Sequence, residues 1–342
     1  MGPPAPASPA PHVTHPPVIP LAGSVSNSSA PYSFDKLPPD DPFLLIDLKG
    51  FSFLKAPVCQ QSNWSTLPVV AIVHSAPSNH YNRRQIRRTW GRDVPVVFTL
   101  GSLDETTDEG RRLAASVDLE SRRHGDIVQG TFLDSYRNLT YKHVMGLKWA
   151  TYLCPNARYI LKTDDDVFVN TKYLFELLQS DWVAPGGSYR RGLLLCNVMP
   201  TAMVKRTYRS KWRVSPKEYP GRWYPQYCVG WVVLYSLDVA FTLYKLAQTS
   251  SYFWIDDVHI TGTLVSKTDI QLSHLGPLST DSVSPPSSLS VPQTDHQFLF
   301  ALTTPDYFPG LQDLVNPHHS QQEYYWYQSP SSHLTSATTT SR

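Results

Sequence analysis

Asp164, Asp165 and Asp166 follow directly on a hydrophobic run, Tyr159-Ile-Leu-Lys162, and precede Val167-Phe168-Val169. Like charges packed together are costly unless a cation neutralises them. Carboxylate oxygens are hard ligands that suit Mn²⁺ or Mg²⁺, with a substrate diphosphate completing the shell. The plain alternative is a solvated acidic loop. The strand-like approach favours the metal, because ligands bind at strand ends in α/β sheets. A calcium loop of the EF-hand type does not fit. The positions that would need Gly and Glu, counted from Asp164, hold Val169 and Phe175.

A second acidic pair, Asp256-Asp257, sits among apolar residues between Trp254 and Gly262. A partly buried Asp with a raised pKa can serve as a general base. Either Asp would also cap a helix running to Thr263, and one residue can do both. The stretch Arg83 to Trp90 is rich in Arg. Guanidinium grips phosphate bidentately, although a solvated basic face is the simpler reading. Tyr224-Pro-Gln-Tyr-Cys-Val-Gly230-Trp231 sets a glycine among aromatics. That pattern suits close backbone approach to a flat sugar, or equally a core turn.

Such residues need strands to carry them and helices to cover the strands. Residues 67–74 form a continuous β-branched run, which reads as a buried parallel strand. A helix over 82–90 with a stop at Gly91 follows, then a strand at 94–100 ending at Gly101. A charged amphipathic helix is expected over 104–123 and a short strand at 126–128. Further helices are expected over 139–153 and 171–179, with a strand at 158–162 between them. This alternation predicts an α/β layered domain with a mainly parallel sheet. Residues 1–66 are rich in Pro, Ser and Ala and read as an extended, disordered stem. The apolar patch 43–54 is expected to dock on the domain. The domain is expected to run over 67–328, with a Ser/Pro-rich loop at 278–292 and a disordered Ser/Thr-rich tail at 329–342.

Net charge is +2, which gives no case for nucleic acid or an anionic membrane as partner. The local cluster of Arg83, Arg84, Arg87 and Arg88 points instead to a local anion such as phosphate. The chain has 4 cysteines and no CxxC pair, so a zinc ribbon or thioredoxin-type site is disfavoured. They fit either two disulfides, with connectivity open, or buried thiols. Sequons at Asn27, Asn63 and Asn138 favour a secretory lumen. The N-terminus has no basic start followed by an apolar run. No apolar stretch approaches the ~18–20 residues that span a bilayer. Two readings follow: a cytosolic chain, or one whose targeting segment lies outside this sequence.

The order of these features resembles the β-1,3-galactosyltransferase family, which also holds β-1,3-N-acetylglucosaminyl- and N-acetylgalactosaminyltransferases. The resemblance runs from about Leu67 to Gly262. A first motif, R-x-x-I-R-x-T-W-G, is matched by Arg83, Ile86, Arg87, Thr89, Trp90 and Gly91. Gly125 to Val128 match G-D-I-V. Asp134, Ser135, Tyr136, Asn138, Leu139, Thr140 and Lys142 match D-S-Y-x-N-L-T-x-K. The metal block is matched at Trp149, Cys154, Pro155, Lys162, Asp164, Asp165, Asp166, Phe168 and Asn170. Tyr224, Pro225, Tyr227, Cys228 and Gly230 match Y-P-x-Y-C-x-G, and Asp256-Asp257-Val258 match E-D-V. Ordered blocks are far more specific together than singly.

The resemblance implies a GT-A type, Rossmann-like fold and an inverting enzyme that uses Mn²⁺ and a UDP-sugar. The acceptor would be a glycan on a glycoprotein, glycolipid or proteoglycan. Members are usually type II membrane proteins of the Golgi, with a stem like residues 1–66; an anchor would lie outside this sequence. It implies Asp257 as general base and Asp164 and Asp166 as metal ligands, with His274 as a further ligand. Arg83, Arg87, Lys142, Asp164 and Asp165 would hold the nucleotide. Asp256 stands where the family usually has Glu, and Val232 and Val233 stand where it often has Gly and Tyr. The rivals are a sugar-nucleotide pyrophosphorylase and an inactive glycan- or nucleotide-binding homologue. The first would need a Gly-rich loop after the first strand, where His74-Ser-Ala-Pro-Ser-Asn79 stands.

Overall fold

The computed structural model describes residues 40–59, 69–154, 156–276, 279–280 and 299–316. The expected tail, the Ser/Pro-rich loop from 281 and most of the expected stem lie outside them. The described chain contains β1 (Phe53–Lys55), β2 (Val69–His74), α1 (His80–Arg88), β3 (Val96–Ser102), α2 (Asp108–His124) and β4 (Ile127–Leu133). There follow α3 (Leu139–Leu153), β5 (Tyr159–Asp164), β6 (Val167–Val169), α4 (Thr171–Gln179), β7 (Leu194–Met199) and β8 (Tyr227–Ser236). The last elements are α5 (Leu237–Gln248), β9 (Leu272–His274), β10 (Phe300–Leu302) and α6 (Phe308–Val315).

An eight-stranded sheet runs in the order β9-β7-β8-β5-β2-β3-β4-β1. The pairs β2–β3, β2–β5, β3–β4 and β7–β9 are parallel. Strand β8 runs antiparallel to β5 and β7, and β1 antiparallel to β4. This is the mainly parallel, helix-flanked layout expected of the GT-A type. Every residue of β2 is buried, as a strand covered on both faces requires. From β2 the chain builds outward through β3 and β4, then returns to lay β5 on β2's other side. Strand order reverses there, which is where open α/β sheets form their ligand crevice.

The helices follow local chemistry. Asp104 accepts from the backbone N–H and hydroxyl of Thr106, so a turn precedes α2 and delays its start to Asp108. Thr107 caps α2 by accepting from the Gly110 N–H. Its first turn carries Asp108 and Glu109, its last Arg122 to His124, in keeping with the helix dipole. Gly125 ends it at φ 65°, a conformation that favours glycine. Helix α3 is buried almost throughout and packs between the sheet, α5 and the N-terminal residues.

Residues 40–59 belong to this body, so the part expected to be stem is shorter than 1–66. Leu45 and Phe51 are fully buried. Lys148 on α3 donates to the carbonyls of Asp41 and Leu44 and pairs with Asp40. The cysteines form disulfides Cys59–Cys154 and Cys196–Cys228.

Candidate active site at the sheet switch point

Strands β2 and β5 end side by side, with His74 opposite Asp164 in register. The acidic turn continues from β5 and faces the loop 75–79. Its members divide sharply. Asp165 is 7% exposed and saturated. One of its oxygens accepts from Ser75 Oγ at 2.6 Å and Asn79 Nδ2 at 3.0 Å, the other from Asn82 Nδ2 at 3.1 Å. It ties β5 to the start of α1. Burial raises Asp164 even though the Lys162 ammonium donates to its Oδ1 at 2.8 Å. Asp166 is pushed up to about 6, first by burial, then by the charges of Asp164 and Asp165. Carboxylates held back from ionising by burial and by one another suit a divalent cation. The side chains of Asp164 and Asp166 therefore fit the implied metal, with substrate oxygens and water filling its shell. His274 is not brought to them. It lies on edge strand β9, and its Nδ1 accepts from the Val198 N–H at 3.0 Å. Among the described residues no three His, Cys, Asp or Glu side chains gather as a ligand set.

The second acidic turn lies against β8. Asp257 opens a π-helical turn, Val258–Leu264, and its Oδ1 accepts from the Val258 N–H at 2.8 Å. Such turns recur at functional sites. The cap and the candidate base are thus the same residue. A Cβ on Gly230 would stand 3.2 Å from Asp257 Cβ, so glycine is what lets β8 run against this carboxylate. Burial, then the neighbouring Asp256 charge, push Asp257 up to about 7. Lys162 also donates to the Gly230 carbonyl, joining both acidic turns through one cation.

Asp256 is the settled member of this pair. Burial pushes it up, but the His143 hydrogen bond and the Lys162 charge prevail and hold it below the usual range. His143 Nδ1 lies 2.9 Å from Asp256 Oδ2, and its Nε2 lies 3.0 Å from the Tyr235 hydroxyl. Burial lowers His143, so the ring is neutral near pH 7. With Asp256 ionised, Nδ1 must donate and Nε2 must accept the Tyr235 O–H. No motif reading singled out His143 or Tyr235, because nothing in a sequence shows which buried groups meet.

The structure gives Arg83, Arg87 and Lys142 other work than holding nucleotide. Arg83 is fully buried, and its guanidinium donates to Glu120, Ser75 Oγ, Ala76 O and Pro77 O. All five of its donors are thereby engaged. Arg87 binds Asp126 through two nitrogens and Glu120 through the third, and lies over the Phe98 ring at 4.7 Å. Lys142 donates to Ser75 O at 2.6 Å and pairs with Asp134 at 2.9 Å. Arg83 and Lys142 fix the loop 75–79 that holds Asp165, and Arg87 shares Arg83's partner Glu120. Tyr224 packs with Phe253, Trp254, Ile255 and Val258 in a small separate core, which supports the core-turn reading there.

The galactosyltransferase family model matches residues 81–276. The gorilla (Gorilla gorilla gorilla) β-1,3-galactosyltransferase 5 is 36% identical over 237 residues, covering 66% of this chain and 74% of the relative. The human acetylgalactosaminyl-O-glycosyl-glycoprotein β-1,3-N-acetylglucosaminyltransferase is 40% identical over 197 residues, covering 55% of this chain and 50% of that one. The solved WbbM bifunctional glycosyltransferase overlays at a TM-score of only 0.36 and 9% identity, covering 75% of this chain and 51% of that one. On the family match over residues 81–276 and a relative 36% identical of which 74% is covered, this chain belongs to the galactosyltransferase family.

Proposed function

We propose that this protein transfers a hexose or N-acetylhexosamine from a UDP-sugar to a glycan hydroxyl, with inversion, forming a β-1,3 linkage. The observation that carries the reading is Asp257: a carboxylate pushed up to about 7 on a turn against Gly230, which Lys162 ties to the acidic turn at the switch point. Its carboxylate accepts the acceptor hydroxyl proton as that oxygen attacks the anomeric carbon from the face opposite the diphosphate. The new C–O bond forms as the bond to the phosphate oxygen breaks, and UDP departs with the electron pair. One displacement turns an α-linked donor into a β-linked product. General-base help of this kind contributes ~10²–10⁴-fold. A divalent cation, Mn²⁺ or Mg²⁺, at Asp164 and Asp166 supplies neutralisation of the diphosphate charge when bound.

Lys162 pairs with Asp164 and feels Asp256 and Asp257, so it keeps two acidic turns close without mutual expulsion. Asp165, Arg83 and Lys142 hold the loop that faces them. The two disulfides support maturation in an oxidising lumen, and with the family they support the Golgi as the place of work. No helix among the described residues is long and apolar enough to cross a membrane.

The test is acceptor-dependent UDP release. UDP-galactose, UDP-N-acetylglucosamine and UDP-N-acetylgalactosamine are each offered with Mn²⁺ and a panel of β-glycoside acceptors. Release from one donor, abolished by EDTA and linked β-1,3 in the product, is the expected result. Folded protein that binds UDP but turns over no donor returns the reading to an inactive homologue. Protein that binds no UDP removes the donor site.

A further inference from the structure

Between β7 and β8 the chain makes an excursion, 200–226, seated on the small core of Val204, Val214, Tyr224, Phe253, Trp254 and Val258. The same core holds the approach to Asp256 and Asp257, so the excursion is a wall of the crevice. Its charge is lopsided. Lys205, Arg209, Lys211, Lys217 and Arg222 are all exposed, while Glu218 is the sole acid between 205 and 223. Glu218 is already paired with Arg137. In a chain of net charge +2 this concentrates positive field on one wall.

Aromatic faces are interleaved with these cations. Tyr208 is 86% exposed, and Trp212 and Trp223 about half exposed. Lys211 Nζ stands 4.5 Å from the Trp212 ring centre. Tyr136, itself half exposed, packs against Trp254 at 6.0 Å, which links the wall to the catalytic turn. Beside it a cavity of about 290 Å³ is lined by Arg137, Asn138, Glu218, Tyr252, Phe253 and Trp254. The Trp254 side chain is buried, and its Nε1–H has no partner.

Resting on the transfer reading above, we propose that this wall is an acceptor surface for acidic glycans. Sugar rings stack on Tyr136, Trp212 and Trp223, and sulfate or carboxylate groups meet Lys205, Arg209, Lys217 and Arg222. Flat rings beside unpaired cations suit an acidic sugar chain better than a neutral one. The acid groups lie on sugars beyond the one that reacts, so the wall governs acceptor choice and not the chemical step.

The experiment compares a sulfated oligosaccharide with its uncharged parent, both as immobilised ligands and as acceptors for the full chain. At about 50 mM salt the sulfated glycan should bind at least ~10-fold tighter, and near 300 mM most of that difference should vanish. A combined Lys205→Gln/Arg209→Gln/Lys217→Gln/Arg222→Gln variant, checked for unchanged Tm, should bind both glycans alike. It should keep its kcat with the neutral acceptor. Equal binding of the two glycans by the unaltered chain overturns the proposal, as does a variant that keeps the preference. A single-stranded oligonucleotide of matched charge that binds as tightly as the glycan overturns it too, by showing bare polyanion attraction. Acidic-glycan binding lost in the variant, without turnover of any donor, upholds the surface and sinks the transfer reading alone.

Discussion

The two acidic turns of the crevice are built alike and differ in what each carboxylate is given. In each, one member is satisfied: Asp165 by Ser75, Asn79 and Asn82, and Asp256 by His143. In each, a neighbour is left short: Asp166 is pushed up to about 6 and Asp257 to about 7. The satisfied member anchors the turn, and burial raises the other, with the neighbouring carboxylate charges adding to it. Structural and chemical duty are thus divided between adjacent residues of the same type. A motif of repeated Asp is a division of labour rather than redundancy.

That contrast can be broken most strongly at Asp257. Asp257→Asn should lower kcat by at least ~10²-fold while UDP affinity, read by calorimetry, stays unchanged. Near-normal turnover would remove the base. The same substitution should raise Tm above pH 7. The native carboxyl binds its proton up to about 7 against an ordinary 3.8. Stability therefore falls as pH rises between those values, and a neutral amide escapes the loss. Asp256→Asn should do the opposite. Its pKa is lowered in the fold, so its contribution is present above the ordinary carboxylate range and lost as pH falls through the lowered value. Two neighbouring Asp→Asn changes with the same sign in Tm would erase the distinction.

On the anchoring side, Arg83→Ala leaves Glu120 short of a partner and should cost ~3–5 kcal/mol in denaturant unfolding. A loss below 1 kcal/mol would mean that the Arg83 network is not what holds the loop. The rate profile sharpens the comparison further. If Asp257 is the base, log kcat should fall about one unit per pH unit below its pKa near 7 and level off above it. A profile flat down to pH 5 would contradict that assignment. The smallest effect is expected at Asp165→Asn, which keeps one carbonyl acceptor and should cost ~1–3 kcal/mol of stability. Metal-dependent UDP binding should survive it, whereas Asp166→Ala should abolish that binding.

Much of this was legible beforehand, for identifiable reasons. Helices over Leu139–Leu153 and Thr171–Gln179 stand where apolar spacing placed them. The strand ending in the acidic turn is where a β-branched and aromatic run placed it. Residue type drew notice to both acidic clusters, Asp164 to Asp166 and Asp256-Asp257, and the family resemblance alone assigned roles within them. Roles that depend on a distant partner were illegible. The basic stretch suggested phosphate, yet Arg83 and Arg87 spend their donors on Glu120 and Asp126, which α2 and its exit deliver from 33–39 residues downstream. His143 meets Asp256 across 113 residues, with no local pattern to announce it. The apolar patch 43–54 was legible as a docking segment, and Leu45 and Phe51 are its buried members.

The disulfide pattern also bears on how the protein is made. The cysteines occur along the chain as Cys59, Cys154, Cys196 and Cys228, and each bonds to the next in line: the first to the second, the third to the fourth. Among the cysteines of this sequence, Cys154 is the first that Cys59 meets as the chain is made. That first link closes a separation of 95 residues, worth ~4.7 kcal/mol of lost freedom in the unfolded chain on the loop-closure account. Cys196 and Cys228 follow 32 residues apart and form the second link. Pairing in order of synthesis would join the same cysteines that the fold joins.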